Sequence, residues 1–189
     1  MLFSLAYDIL NEYIISVGVD FMKKLVMVIN GAGGVGKDTL CDFASAHFSV
    51  MNISSITPIK EIAAMCGWNG EKSDKARKFL SDLKALSIEF NDYPTVWATA
   101  KYEEFLASEN EIMFVHIREP EEIAKFVKAT EGAAKTLLVR GGERMKKEKY
   151  GNVSDDGVEN YAYDYYFVND KSLEVAEQSF IAFLSGILE

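Results

Sequence analysis

The stretch Gly31-Ala32-Gly33-Gly34-Val35-Gly36-Lys37-Asp38-Thr39 decides the fold of this chain. A short apolar, β-branched run at 25–29 precedes it, and helically spaced apolar residues follow at 39–48. The stretch matches G-x-x-x-x-G-K, in which glycines let consecutive backbone N–H groups point at one anion. The N-terminus of the following helix adds partial positive charge. The sequence therefore predicts a strand, a phosphate-binding loop and a helix.

The end of this loop departs from its usual form. Lys37 is expected to reach β- and γ-phosphate oxygens, and the next residue is normally a Ser or Thr that binds Mg²⁺. Here Asp38 follows, and then Thr39; either can hold the metal, directly or through water, because Mg²⁺ prefers oxygen ligands. The alternative is a glycine-rich turn that only caps a helix, which the flanking strand and helix disfavour. The residues predicted to bind ATP are Gly31, Gly33, Gly34, Val35, Gly36, Lys37, Asp38 and Thr39.

The rest of the chain alternates between strand-like and helix-like patterns. Further apolar runs at 50–54, 112–117, 136–139 and 165–168 predict four more strands, and helical spacing lies between them. Such alternation predicts an α/β fold with a five-stranded parallel sheet. Two stretches, 58–110 and 141–161, are longer than a simple crossover needs.

Composition limits the classes of function. The chain has 189 residues, 49% of them hydrophobic, and a net charge of −9, so a folded domain is expected and disorder is not. The acidic balance argues against binding to nucleic acid polymers or anionic membranes. Two cysteines and no apolar run of membrane-spanning length indicate the cytoplasm. Either a monomer or a homodimer fits this composition.

Residues 1–21 precede a second methionine, Met22. Apolar residues recur there at helical spacing, and the absence of a basic start argues against a signal peptide. The segment is expected to be an appended helix or the product of an upstream start; the alternative is a helix that packs on the domain or on a partner. The domain proper is predicted to span 22–189.

Four segments together resemble a family. The loop at 31–39 is similar to the G-K-D-T phosphate loop of deoxynucleoside monophosphate kinases and related small-molecule kinases. The segments 57–61, 118–122 and 163–174 resemble, in order, the Pro-x-Lys segment of those kinases, their strand-end arginine with Pro and Glu, and their last strand, Asn-Asp turn and helix. The resemblance covers 24–189, and the loop is its most specific part.

This resemblance implies a three-layer P-loop NTPase fold with a helical acceptor-binding insertion at 58–110 and a lid at 141–161. It also implies transfer of the γ-phosphoryl group of ATP, with Mg²⁺, to a small phosphorylated acceptor. His116 stands where the family carries an acid two residues before the arginine. That histidine is either a packed core side chain or a group near the metal.

Phosphoryl transfer needs positive charge around the transferring group more than it needs a base. Besides Lys37, we predict that Arg118 at a strand end and Arg140 and Arg144 around the lid supply it. The alternatives are a salt bridge from Arg118 to neighbouring glutamates and solvated charge for the other two. The residues predicted to bind the acceptor are Ser54, Lys60, Arg77 and Arg118.

Three functions remain open at this point. The first is a nucleotide kinase acting on a (deoxy)nucleoside monophosphate. The second is a nucleotide-binding regulatory protein without transfer, which the histidine at 116 suggests. The third is a kinase for a phosphorylated metabolite that is not a nucleotide.

Overall fold

The structure, a computed structural model, describes residues 23–142 and 157–189. Strands and helices alternate through most of these residues, although three helices in a row follow the second strand. A short 3-10 turn at Val158–Asn160 precedes the last strand. In chain order the elements are β1 (Leu25–Asn30), α1 (Lys37–Ser45), β2 (Val50–Ser54), α2 (Thr57–Met65), α3 (Asp74–Asn91), α4 (Tyr93–Ala107), β3 (Ile112–His116), α5 (Pro120–Ala129), β4 (Lys135–Gly141), β5 (Tyr165–Asn169) and α6 (Leu173–Leu188).

The five strands form one parallel sheet in the order β2-β3-β1-β4-β5. β1 lies at its centre, and all six of its residues are buried, as expected of a strand covered on both faces. Because the strands are parallel, their carboxyl ends meet at one edge of the sheet. Ligands of open α/β sheets bind beyond that edge, and the glycine-rich loop leaves β1 there.

Helices cover both faces of the sheet. Alternate residues of a strand point to opposite faces: Met27 and Ile29 pack with side chains of α1 and α6, whereas Val26 and Val28 pack with side chains of α4 and α5. The result is three layers with one apolar core on each side of the sheet. The predicted α/β fold with five parallel strands is confirmed.

The element bounds differ little from those predicted. The first helix begins at Lys37 rather than at residue 39, because Gly36 at the end of the loop is already its N-cap. β3 ends at His116, one residue early, and β4 continues to Gly141. The predicted insertion at 58–110 contains most of α2 and all of α3 and α4.

Two predicted segments lie wholly or largely outside the described residues. The extension at 1–21 is one of them. Of the predicted lid at 141–161, the structure describes only its two ends, and Arg144 lies outside them. Among the described helices, none is long and apolar enough to cross a membrane.

Candidate phosphate-binding cleft

The glycines of the loop fix its path. Gly31, Gly34 and Gly36 have φ values of +148°, +82° and +87°, which side chains rarely adopt. A Cβ at Gly31 would collide with the backbone oxygen of Val139 in β4, and a Cβ at Gly36 would meet the amide of Asn169. Two positions of the loop therefore need glycine for space as well as for conformation.

Two asparagines that sequence reasoning missed tether the loop to distant parts of the chain. Asn30 is fully buried at the end of β1: its Oδ1 accepts from the Gly31 N–H at 2.8 Å, and its Nδ2 donates to the Arg118 carbonyl at 3.0 Å and to the Tyr163 hydroxyl at 2.7 Å. Asn169 at the end of β5 donates to the Val35 carbonyl at 2.9 Å. The available signal was an asparagine directly after an apolar strand.

We expect Asn30→Ala to lower the free energy of unfolding by about 1–3 kcal/mol, because it leaves buried polar groups without partners. Urea-induced unfolding measures this change. Tyr163→Phe is the matched control: it removes the hydroxyl, which also donates to the Val158 carbonyl, but keeps the bonds of Asn30 to Gly31 and to Arg118. It should cost less, and equal losses would argue against a tethering role for Asn30.

Lys37 lies over the loop. Its Nζ donates to the carbonyls of Gly31 at 2.5 Å and Ala32 at 3.0 Å. These bonds hold the ammonium at the mouth of the glycine turn, beside the first turn of α1. The N–H groups of a first turn have no partner within the helix. This juxtaposition of amides and a cation is what the pattern predicted for an anion site.

A cleft of about 1430 Å³ opens from the loop toward α3. Single-ligand pockets usually measure roughly 300–1,000 Å³, so this volume has room for more than one small ligand. Although the chain as a whole is acidic, the lining of this cleft is basic: it contains six Lys or Arg side chains and two carboxylates, Asp38 and Glu119. The basic residues of the lining are Lys37, Lys60, Arg77, Lys78, Lys84 and Arg118.

His116 lies at the floor of this cleft. Its Nε2 is 2.9 Å from the Asn52 Oδ1, and its Nδ1 is 4.0 Å from the Asp38 Oδ1. Because an amide oxygen only accepts, Nε2 carries the proton and the Nδ1 lone pair faces Asp38. Burial lowers the pKa of His116, against the opposing effect of Asp38, so the neutral imidazole is favoured at pH 7. The structure thus places His116 beside the loop rather than within the core.

Cys41 packs behind His116, with its Sγ 3.8 Å from Nε2. Burial, reinforced by Asp38 and Asp42, raises the pKa of this thiol to about 12. A thiol is nucleophilic and metal-binding as the thiolate, so Cys41 contributes packing rather than chemistry. Among the described residues, no group of three or more His, Cys, Asp or Glu side chains could hold a metal ion.

Most of the predicted site residues line this one cleft, and two others pack beneath the loop. Gly31 and Val35 shape the loop, and Val35 is part of the core. The predicted residues that line the cleft are Gly33, Gly34, Gly36, Lys37, Asp38, Thr39, Ser54, Lys60, Arg77 and Arg118.

Arg140 is not among the lining residues. Its guanidinium forms a bidentate ion pair with Glu159, at 3.0 Å and 2.6 Å, and lies 4.5 Å from the ring centre of Tyr166. The sequence predicted that the Arg140 guanidinium would join the cations near the loop. In the structure it pairs with Glu159 instead and does not line the cleft. Its partner Glu159 is 19 residues away, and no local pattern indicated the pair.

Sequence reasoning also missed the cleft side of α3, from which only Arg77 was predicted. Lys78, Ser81 and Lys84 also line the cleft. Lys84 bonds to Glu119 at 2.8 Å and to Glu122 at 2.7 Å, and so ties α3 to the start of α5. Burial raises the pKa of Glu122, although Lys84 opposes this. Helical spacing of 77, 81 and 84 was the signal that could have found this face.

Known proteins resemble this chain in fold and hardly in sequence. No protein-family model and no curated protein matches it. The Deinococcus radiodurans tunicamycin resistance protein matches with a TM-score of 0.54 and 11% identity, over 86% of this chain and 96% of that one. A putative kinase from Chloroflexus aurantiacus matches with a TM-score of 0.50 and 9% identity, over 88% and 98%.

A gluconokinase from Sinorhizobium meliloti also matches, with a TM-score of 0.46 and 15% identity, over 89% of this chain and 94% of its own. Identities this low indicate fold and leave function open. The chain has the α/β fold of P-loop kinases. The glycine-rich loop leaves the central strand at the carboxyl edge of the sheet, where ligands of open α/β sheets bind.

Proposed function

We propose that the protein is a Mg-ATP-dependent phosphotransferase that moves the γ-phosphoryl group of ATP to a small phosphorylated acceptor. A (deoxy)nucleoside monophosphate is the expected acceptor, on the resemblance of the segments described above. The observation that carries the proposal is that the glycine-rich loop and six basic side chains line one cleft, whose volume is large enough for two ligands.

The donor half of the site is the loop with the first turn of α1. Its amides and Lys37 would hold the β- and γ-phosphates of ATP. Asp38 and Thr39 offer a carboxylate and a hydroxyl at the cleft, a donor set that fits Mg²⁺. When bound, Mg²⁺ would neutralise charge on the phosphate oxygens.

The acceptor half lies between the end of β3 and α3. Arg118 also lines the cleft, and in this proposal it would contact the transferring phosphoryl group and neutralise its charge. Lys60 and Arg77 would bind the phosphate of the acceptor, and Ser54 would accept or donate a hydrogen bond. These side chains bind and orient, which is the main work of a protein in phosphoryl transfer.

Arg140, near the end of β4, and Arg144, in the predicted lid, are proposed to act when the lid closes. Closing segments exclude water and complete a site in many kinases. For Arg140 to reach the cleft, its guanidinium would have to leave Glu159. Activity of Arg140→Met near the parent level would restrict the catalytic cations to Lys37, Arg118 and the lid residue Arg144.

Two observations favour other candidates. Among the described residues that line the cleft, none is Phe, Tyr or Trp, and a nucleobase is often held on the face of such a ring. This favours a phosphorylated metabolite without a base as acceptor. His116 in place of an acid favours a nucleotide-binding protein that does not transfer. Both are arms of the same experiment.

The experiment incubates the protein with Mg-ATP, or Mg-GTP, and a panel of acceptors, and follows the nucleoside diphosphate formed. The panel holds nucleoside and deoxynucleoside monophosphates together with phosphorylated sugars and polyols. Lys37→Ala is the inactive control. Lys135→Ala is the matched neutral control, because Lys135 is exposed at the start of β4, at the opposite edge of the sheet.

Acceptor-dependent turnover well above that of the Lys37→Ala control supports the proposal. A nucleoside monophosphate as the best acceptor would favour a nucleotide kinase, and a phosphorylated sugar or polyol would favour a kinase for a metabolite that is not a nucleotide. Turnover at the control level with every acceptor contradicts transfer. If calorimetry then shows nucleotide binding that Lys37→Ala removes, the regulatory candidate stands.

A further inference from the structure

His116 has the hydrogen bonding of a histidine that binds a metal, and the function proposed above gives it no role in transfer. It ends β3 at the floor of the cleft, where its carbonyl accepts from the Ser55 N–H at 3.1 Å. Its Nε2–H donates to the Asn52 Oδ1 at 2.9 Å. A histidine that binds a metal through one ring nitrogen usually donates the N–H of the other nitrogen to an oxygen. The imidazole is thus held in the tautomer that keeps a lone pair on Nδ1.

The Nδ1 atom of His116 faces an oxygen of the first turn of α1. The Asp38 Oδ1 lies 4.0 Å from it. A lone pair on nitrogen and a carboxylate both accept and donate nothing, so a cation or a proton donor between them would satisfy both. With metal–ligand bonds of about 2.1 Å, two ligands of one ion are about 3.0 Å apart when adjacent and about 4.2 Å apart when opposite. The observed separation lies within this range.

The two side chains differ in how firmly they are held. The His116 side chain is 18% exposed and that of Asp38 is 94% exposed, so the carboxylate can adjust to an ion that the imidazole holds. Thr39 lines the same cleft and adds a hydroxyl. These groups are too few to complete the coordination of an ion, which takes four to eight ligands. Phosphate oxygens of a bound nucleotide and water would have to supply the rest, so metal binding should depend on the nucleotide.

We propose that His116 is a nitrogen ligand of the metal ion that binds together with the nucleotide, and that the site therefore prefers a divalent transition-metal ion to Mg²⁺. This inference rests on the proposed binding of a nucleotide at the loop. Mg²⁺ is a hard cation that takes oxygen ligands, whereas imidazole suits first-row transition metals. The kinases that this chain resembles carry an acid at this position, so the preference is expected of this histidine alone.

Pulsed electron paramagnetic resonance tests for the nitrogen ligand directly. The full chain is loaded with Mn²⁺ and an ATP analogue that has a methylene group between its β- and γ-phosphorus atoms, so that the readout does not depend on turnover. A nitrogen bound to Mn²⁺ modulates the electron spin echo. Labelling the histidines of the protein with ¹⁵N should change this modulation, whereas a signal from the adenine nitrogens of the analogue would not respond.

The second histidine of the chain provides a matched control. The chain has two histidines, His116 and His47. His47 lies 3.1 Å from the Glu177 carboxylate and does not line the cleft. His47→Gln should therefore leave the nitrogen modulation unchanged. His116→Gln should abolish it, because the glutamine amide can still donate to the Asn52 Oδ1 but places no atom where Nδ1 was.

Affinity provides a second readout that is independent of transfer. Calorimetry compares the binding of the Mg²⁺, Mn²⁺ and Co²⁺ complexes of the analogue. His116→Gln should bind the Mn²⁺ and Co²⁺ complexes about 10–100-fold more weakly than the parent, which is the usual cost of losing a residue that supports a metal ligand. Its affinity for the Mg²⁺ complex should change less. His116→Asp should shift the preference toward Mg²⁺, because a carboxylate is the harder ligand.

The outcomes separate this inference from the proposed function. A parent protein that binds none of the three complexes overturns both. Binding of the Mn²⁺ complex without a modulation that responds to ¹⁵N-histidine overturns this inference alone, and so does a modulation that survives His116→Gln. If circular dichroism shows that His116→Gln does not fold, the labelled parent and the labelled His47→Gln protein still decide, because a histidine signal that persists without His47 comes from His116.

Discussion

Lys37→Ala is expected to lower kcat/KM for phosphoryl transfer by about 10²–10³-fold. A preorganised charge aimed at a developing phosphoryl charge has an effect of this order. The structure holds the ammonium at the mouth of the glycine turn through the carbonyls of Gly31 and Ala32, so the cation is in place before a ligand arrives. Steady-state kinetics with the best acceptor of the panel measures the loss.

Two controls separate charge from fold in this prediction. Lys37→Arg keeps a cation but replaces a compact ammonium with a planar fork, so it should retain part of the activity. Lys135→Ala should retain all of it, because Lys135 lies at the far edge of the sheet. A Lys37→Ala protein with parental kcat/KM and an unchanged unfolding curve would contradict the assignment of the loop as the donor site.

Lys84→Met should lower the free energy of unfolding by about 3–5 kcal/mol, which is the usual cost of removing one partner from a buried ion pair. Glu122 is only 7% exposed, and its Oε2 has no hydrogen-bond partner. Lys84 is the cation that compensates this buried carboxylate, at 2.7 Å from its Oε1. Urea-induced unfolding measures the loss.

The same substitution one turn and a half earlier gives the control. Lys78→Met removes a cation from the same helix, but Lys78 and its partner Asp82 are mostly exposed, so the cost should stay below about 0.5 kcal/mol. Adding Glu122→Gln to Lys84→Met should recover part of the loss. Similar losses for Lys84→Met and Lys78→Met would show that the pair with Glu122 is not a stabilising tie.

This cost should also depend on pH. Without the Lys84 ammonium, burial alone acts on Glu122 and raises its pKa further above the ordinary value. A carboxyl whose pKa is raised in the folded state disfavours folding fully above that raised pKa; the effect declines as the pH falls and vanishes below the ordinary pKa of a carboxyl. The difference between Lys84→Met and the parent should therefore narrow as the pH falls through the pKa of Glu122.

The sheet and the loop could be predicted because their signals are local. A short apolar run such as 25–29 has few other conformations available when a glycine-rich loop and a helical pattern follow it. Lys37, Asp38 and Thr39 were found for the same reason, since their spacing from the glycines is fixed by the chain itself.

What could not be predicted depends on contacts between distant segments. In the sequence, Asn30 is only the residue that follows an apolar strand. Its hydrogen bonds to Arg118 and Tyr163 exist only because the folded sheet brings these distant residues to it. Arg140 reads as a strand-end cation until Glu159 meets it. The apolar series on α3 predicts a helix correctly, but periodicity alone does not say whether its apolar face meets the core or another molecule.

The hydrogen bond from Asn169 to the Val35 carbonyl joins residues 134 positions apart in the chain. The glycine turn is among the first described segments to leave a ribosome, yet its shape is secured by a side chain at the end of the final strand. Until β5 has been synthesised and added to the edge of the sheet, the turn lacks this restraint. Nascent chains that stop before residue 169 should consequently carry the whole glycine motif and still bind phosphate poorly.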